Sequence, residues 1–167
     1  MDIETLKRSL GLVPLPQEGG FFAESYRSDE ALPAGHLSAR YAGERSLATA
    51  IYFLLTHDSF SALHRLASDE IWHHYLGDPV EMLQLREPAA GKVLLLGSDF
   101  DRGMRPQTVV PRSTWQGARL LPGGTFALLG ATVSPGFEFA DFELASREPL
   151  LASYPDFSSL IKALTRP

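Results

Sequence analysis

Apolar residues fall into two rhythms along this chain. Near the start, Ile3, Leu6 and Leu10 recur at helical spacing and Gly11 stands where a helix would stop, which predicts a short helix over residues 3–10. Leu12 to Pro16 reads as extended, because Pro14 and Pro16 cannot continue a helix. From Gly20 to about Leu144 the rhythm becomes that of strands. Phe21 to Arg27 mixes aromatic and polar positions, and Leu47 to Leu55 is a nearly continuous apolar run, the pattern of a strand covered on both faces. Ser61 to Leu66, Ile71 to Leu76, Val80 to Arg86 and Lys92 to Leu96 follow, with Gly77-Asp78-Pro79 and Pro88-Ala89-Ala90-Gly91 as turns between them. Further strands are predicted at Gln107–Pro111, Trp115–Ala118, Thr125–Val133 and Phe137–Leu144. So many short strands with regular turn signals make a sandwich or a barrel. The end is helical again: Phe157, Leu160, Ile161 and Leu164 share one face behind Pro155-Asp156, and Glu148 to Ser153 adds a helical turn. Gly97 to Gln107, with Asp99, Asp101, Arg102 and Arg105, is the one long polar loop; it reads as a solvated charge cluster before it reads as a lid.

Composition narrows the function classes. A chain of 167 residues with no internal repeat or linker is one domain, long enough to bury a core without staples. The absence of cysteine excludes disulfides, zinc thiolate sites and cysteine nucleophiles. The net charge of -5 is spread over interspersed acidic and basic residues, so no basic stripe is available to neutralise phosphates and nucleic acid is not an expected partner. Met1 to Arg8 lacks the apolar core of a signal peptide, and runs such as Ala48–Leu55 are too short to span a bilayer, so a cytoplasmic protein without a membrane partner is expected. No glycine loop for phosphates and no nucleophile elbow is present.

Chemistry concentrates in His64-Arg65-Leu66-Ala67-Ser68-Asp69-Glu70-Ile71-Trp72-His73-His74-Tyr75-Leu76-Gly77. A His, a Glu six residues on and a Gly seven beyond that resemble the first cupin motif, in which metal-binding or catalytic side chains enter a small β-barrel; Leu66 occupies the position of that motif's second His. The second cupin motif matches only at Pro111 of Val110-Pro111-Arg112-Ser113-Thr114-Trp115-Gln116: Ser113 replaces the turn Gly, Gln116 the His and Leu120 the Asn. Leu10-Gly11-Leu12-Val13-Pro14, Glu18-Gly19-Gly20-Phe21-Phe22-Ala23-Glu24-Ser25-Tyr26-Arg27-Ser28, Ser68-Asp69-Glu70-Ile71-Trp72-His73, Gly77-Asp78-Pro79 and Val133-Ser134-Pro135-Gly136-Phe137-Glu138-Phe139 are similar to the single-domain cupins grouped as Cupin-5. That resemblance runs from about Leu6 to Thr165. It implies an all-β, cupin-type double-stranded β-helix, a jelly-roll barrel over residues 1–167 with short N-terminal and C-terminal helices, paired as a homodimer.

Period-two alternation sends His64 and position 66 into such a barrel, and Glu70 opens the next strand. Trp72 and His74 then share the inner face with Glu70, while His73 and Tyr75 face away. His64, Glu70 and Gln116 admit three roles. They could hold one divalent metal (Mn, Fe, Ni or Zn), with His74 as a fourth ligand, although a neutral amide oxygen is a poorer ligand than imidazole. They could run metal-free acid–base catalysis, with His64 as the base and Glu70 as its proton partner. Or His64 and Glu70 could be a buried pair that only shapes a pocket. Trp72 and Trp115 are candidates for stacking on a ligand, although large aromatics in a β-barrel are more often core. Glu24 and Tyr26, placed on one face of the first strand, could reach the pocket mouth or an edge used in dimer pairing; Phe137, Phe139 and Phe142 pack the barrel or its end. Two functions follow. The first is an enzyme acting on a small polar metabolite, as a carbohydrate-like isomerase or epimerase or a metal-assisted oxygenase. The second is a small-molecule-binding module that senses without catalysis.

Overall fold

The computed structural model describes residues 2–166, and its first element is helix α1, Ile3–Leu10. Asp2 caps it by accepting from the Thr5 amide, and Gly11 ends it in the left-handed conformation (φ 64°), where the Leu12 amide returns to Lys7 O at 2.9 Å. The strands are β1 (Val13–Pro14), β2 (Phe21–Arg27), β3 (Ala31–Leu32), β4 (Arg45–Ser46), β5 (Thr49–Thr56), β6 (Ser61–Leu66), β7 (Asp69–Gly77), β8 (Val80–Arg86), β9 (Ala90–Leu96), β10 (Gln107–Val110), β11 (Trp115–Leu120), β12 (Phe126–Ser134) and β13 (Phe142–Leu144). Antiparallel pairing builds a six-stranded sheet, β1-β2-β5-β12-β7-β10, and a five-stranded sheet, β13-β6-β11-β8-β9. The pair β3–β4 stands apart as a small ribbon that the apolar pattern does not show.

Alternation along each strand decides what lies between the sheets. Phe53, Leu55, Trp72, Val80, Met82, Ala118, Leu120, Ala127 and Leu129 form the inner core. The residues one step out of phase, Leu54 and Leu128, are covered by Leu6 and Leu12 at α1. On the other side, Leu63, Leu83 and Leu85 are covered by Leu150, Ile161 and Leu164, carried by helix α2 (Arg147–Ser153), helix α3 (Ser158–Ala163) and the residue after it. Strand β5 is therefore buried on both faces, as its unbroken apolar run requires. Gly77, at φ 95°, turns β7 into β8 where an added Cβ would press on the Phe126 carbonyl.

One segment departs from the sequence pattern. The strand expected over Phe137–Leu144 is reduced to β13, and residues 135–141 instead cross the barrel end as a strap with a 3-10 turn at Phe139–Asp141. The strap is pinned by Arg45, whose Nε and Nη2 each donate to Asp141 at 2.7 Å, and by the Phe137 amide, which donates to Thr49 Oγ1 at 2.9 Å. A fork-to-fork ion pair holds Asp141 in place, so the chain there cannot stay in a ladder. The loop over residues 97–107 is tied down by the buried Met104 and by paired backbone bonds, Gly97 N–H to Arg105 O and Arg105 N–H to Leu95 O. It is not part of the cavity described below. Among the described residues no helix is long and apolar enough to cross a membrane.

Candidate functional site

The inward positions of β6 are His64 and Leu66, and that of β7 nearest to them is Glu70. Each is held differently. His64 Nδ1 lies 2.8 Å from Ala62 O, so that nitrogen carries a proton and donates, and the ring stacks on Phe142 with centroids 5.0 Å apart. The lone pair of a neutral ring is then on Nε2, and Nε2 is 3.9 Å from Glu18 Oε2. Glu18 reaches the site from a turn, not from a strand. Gln17 (φ 65°), Gly19 (φ 99°) and Gly20 (φ 70°) fold the chain back on itself, and the Ala62 amide donates to Glu18 O at 2.9 Å, fastening the turn to β6. The Glu18 carboxylate accepts from Ser61 Oγ at 2.7 Å.

Glu70 is 6% exposed, and burial pushes its carboxyl above the ordinary value of 4.5, against the opposing pull of His64 and of the Gln116 amide. Gln116, opposite His64 in the β11–β6 pair, donates from Nε2 to Glu70 Oε2, and its own Oε1 is buried without a partner among the described residues. The shift has a sign in stability. A carboxyl whose folded value lies above its unfolded one takes up a proton on folding. Its favourable protonated state is fully present below pH 4.5 and is lost as pH rises toward and through the folded value. Glu70→Gln is expected to match the wild type in acid and to become progressively more stable relative to it as pH rises from 4.5. Urea unfolding of both proteins from pH 4 to pH 8 checks this; a stability difference that does not change with pH would contradict it.

These groups line a cavity of about 110 Å³ whose walls include Leu15, Phe22, Ile51, Phe137 and Phe142. Glu24, Arg27 and Glu138 line the same cavity from its exposed side, where Arg27 donates to Glu24 from Nε (3.0 Å) and Nη2 (2.8 Å) and to Glu138 from Nη1 (2.9 Å).

The structure thus brings His64, Glu70 and Glu24 to one cavity, with Gln116 behind Glu70. The other sequence candidates stand elsewhere. Tyr26 does not share a face with Glu24: the register of β2 on β5 shifts between them, so Ser25 is an extra residue, Tyr26 turns outward and Arg27 turns in. Trp72 keeps the inner face but packs edge-on against Phe53, centroids 5.4 Å apart, in the core and not in the cavity wall. His74 Nε2 donates to Asp78 O at 3.0 Å and serves the β7–β8 turn. Trp115, one step from Gln116, is on the opposite face of its sheet, against the C-terminal helices and beneath the Arg65 guanidinium at 4.4 Å. His73 and Tyr75 stack on each other on the outer side, rings 6.1 Å apart, as alternation requires. Glu18, Arg27 and Glu138 are the site residues that strand periodicity does not reveal. The one signal is that they fall in the Glu18–Ser28 and Val133–Phe139 blocks.

The model of the family described as Cupin superfamily (DUF985), Cupin_5, matches residues 4–145. The chain belongs to the Cupin_5 family. Its structure is similar to that of protein SO0799 from Shewanella oneidensis (TM-score 0.88, 35% identity, 100% of this chain and 99% of that one). It is equally similar to a hypothetical protein from Leishmania major (TM-score 0.88, 31% identity, 100% of both chains). The uncharacterized protein YML079W of Saccharomyces cerevisiae is 29% identical over 133 residues, a match spanning 75% of this chain and 66% of the yeast protein. The double-stranded β-helix is shared more widely, down to oxalate decarboxylase from Bacillus subtilis, a protein with Mn(II) centres (TM-score 0.52, 12% identity, 92% of this chain and 37% of that one).

The donor set of this Cupin_5 member does not fit a metal ion. Among the described residues no group of three or more His, Asp or Glu side chains converges as ligands would. Leu66 supplies no donor, and Gln116 turns its amide nitrogen, which cannot ligate, toward Glu70. One imidazole and two carboxyl groups remain, each carboxyl already accepting through one of its oxygens.

Proposed function

We propose that this cavity is the active site of an isomerase or epimerase that moves protons on a small, polar, carbohydrate-like molecule. The observation that carries the proposal is the orientation of His64. Its Nδ1–H is tied to the backbone of its own strand, and its Nε2 is left to the cavity beside two carboxyl groups. In this reading Nε2 takes a proton from a carbon next to a substrate carbonyl. A proton from the Glu70 carboxyl goes to the carbonyl oxygen, so that an enediol forms. In isomerisation His64 then gives its proton to the former carbonyl carbon while the other hydroxyl returns a proton to Glu70. In epimerisation Glu70 takes its proton back from the enol oxygen, water supplies the proton to the opposite face of the carbon, and His64 releases its own to solvent. Gln116 positions Glu70 through its amide. No metal is needed for these steps. The chain would act as one cytoplasmic domain, and a homodimer belongs to the same proposal, tested by light scattering on the purified protein.

The test is proton exchange. Small hydroxy-aldehydes and hydroxy-ketones of three to six carbons are incubated in deuterated water and followed by proton NMR. The wild type is expected to label the carbon next to the carbonyl, and His64→Gln to slow labelling by about 10²–10⁴-fold. Equal labelling by His64→Gln would remove His64 from catalysis. No labelling by the wild type would favour the second function, binding without turnover.

A further inference from the structure

Four carboxyl groups, Glu18, Glu24, Glu70 and Glu138, line this cavity against a single guanidinium, that of Arg27. Arg27 is not available to an incoming anion. Its Nε and both terminal nitrogens already donate to Glu24 and Glu138, and Nη2 also donates to Phe137 O at 3.2 Å. Glu18, like Glu70, is nearly buried, at 9% against 6% exposed. Ser61 serves only the Glu18 Oε1, and the basic atom within 4 Å of its Oε2 is His64 Nε2 at 3.9 Å, beyond hydrogen-bond reach. A carboxylate so deeply placed, with one oxygen unpartnered in a cavity wall, calls for a positive partner. The rings of Phe22, Phe137 and Phe142 line the same cavity, and aromatic faces attract cations.

We infer that the substrate carries a small organic cation, an amine or quaternary ammonium head, which seats between the Glu18 carboxylate and these rings. The inference rests on the reading of this cavity as the substrate site. The size agrees: about 110 Å³ admits one compact head group. A carboxylate or phosphate head is disfavoured by charge, since it would meet the Glu18 oxygen while the Arg27 guanidinium is already occupied by Glu24 and Glu138.

Three probes of one shape and different charge separate the possibilities: choline, its neutral carbon isostere 3,3-dimethylbutan-1-ol, and the anion 3,3-dimethylbutanoate, each titrated by calorimetry and by broadening of the ligand methyl signal. Choline is expected to bind at least about tenfold more tightly than the neutral isostere, and the anion not at all. Glu18→Gln should abolish the preference for choline while leaving the neutral isostere unaffected; should that variant fail to fold, the three probes on the wild type decide alone. Equal binding of choline and the neutral isostere, tighter binding of the anion, or binding of none would each overturn the inference. Choline binding by the wild type is read without turnover, so a preference for choline together with no labelling of any hydroxy-carbonyl, amino-substituted ones included, would sink the proton-transfer proposal and leave this one standing.

Discussion

Replacing Arg45 by Met is expected to destabilise the protein by about 3–5 kcal/mol, the cost of leaving a buried charge without its partner. Arg45 and Asp141 are each 5% exposed in their side chains and meet through two bonds of 2.7 Å, with a third from Arg45 Nη1 to Glu44 O. Asp141 in turn raises the Arg45 guanidinium above its already high ordinary value, so the cation is permanent at any working pH. The pair joins two segments 96 residues apart, the β3–β4 ribbon and the strap that carries Phe137, Glu138 and Phe139 to the cavity. Urea unfolding measures the loss. Arg45→Met combined with Asp141→Leu should recover most of it, because an apolar pair of similar volume leaves no orphaned charge. A single variant within about 1 kcal/mol of the wild type would show that the strap is held by other contacts.

Trp72→Ala is expected to cost about 3–5 kcal/mol, the range for emptying a large core site, whereas Trp72→Phe should cost only about 1 kcal/mol. Trp72 is 2% exposed and packs on Phe53 between the sheets, so its removal leaves a void that the two ladders cannot close. Its indole Nε1 makes no full hydrogen bond among the described residues but lies near enough to Glu70 to oppose the rise of that carboxyl, so Phe supplies the ring and loses only this weak contact. Thermal and urea unfolding of the two variants decide between core and ligand platform. If Trp72→Ala unfolds like the wild type, the side chain is not core, and a ligand-stacking role regains its place.

Local signals made much of the architecture readable. Strands β6 and β8 begin and end where their alternation does, at Ser61–Leu66 and Val80–Arg86, and α1 ends at the glycine that its apolar spacing points to. The His64–Glu70 spacing likewise placed two side chains in one cavity, since a tight turn between two strands keeps neighbouring inward positions close. What alternation cannot register is an interruption of itself. One extra residue at Ser25 exchanges the faces of Tyr26 and Arg27, and the strap over residues 135–141 leaves its ladder for an ion pair with a residue far away in the chain.

By itself, then, the sequence determined the all-β plan, the terminal helices, the family and the two inward groups His64 and Glu70, because each rests on short-range periodicity or on a contiguous motif. The tertiary structure decided the rest of the site. Glu18 arrives beside His64 only because a turn of left-handed residues docks on β6, 43 positions away from the Ser61 hydroxyl that it accepts from. Arg27 becomes a filled cation only because Glu138 comes to it across 111 residues. Charge balance in a cavity is a sum over side chains that fold together from distant segments, and no local pattern carries that sum.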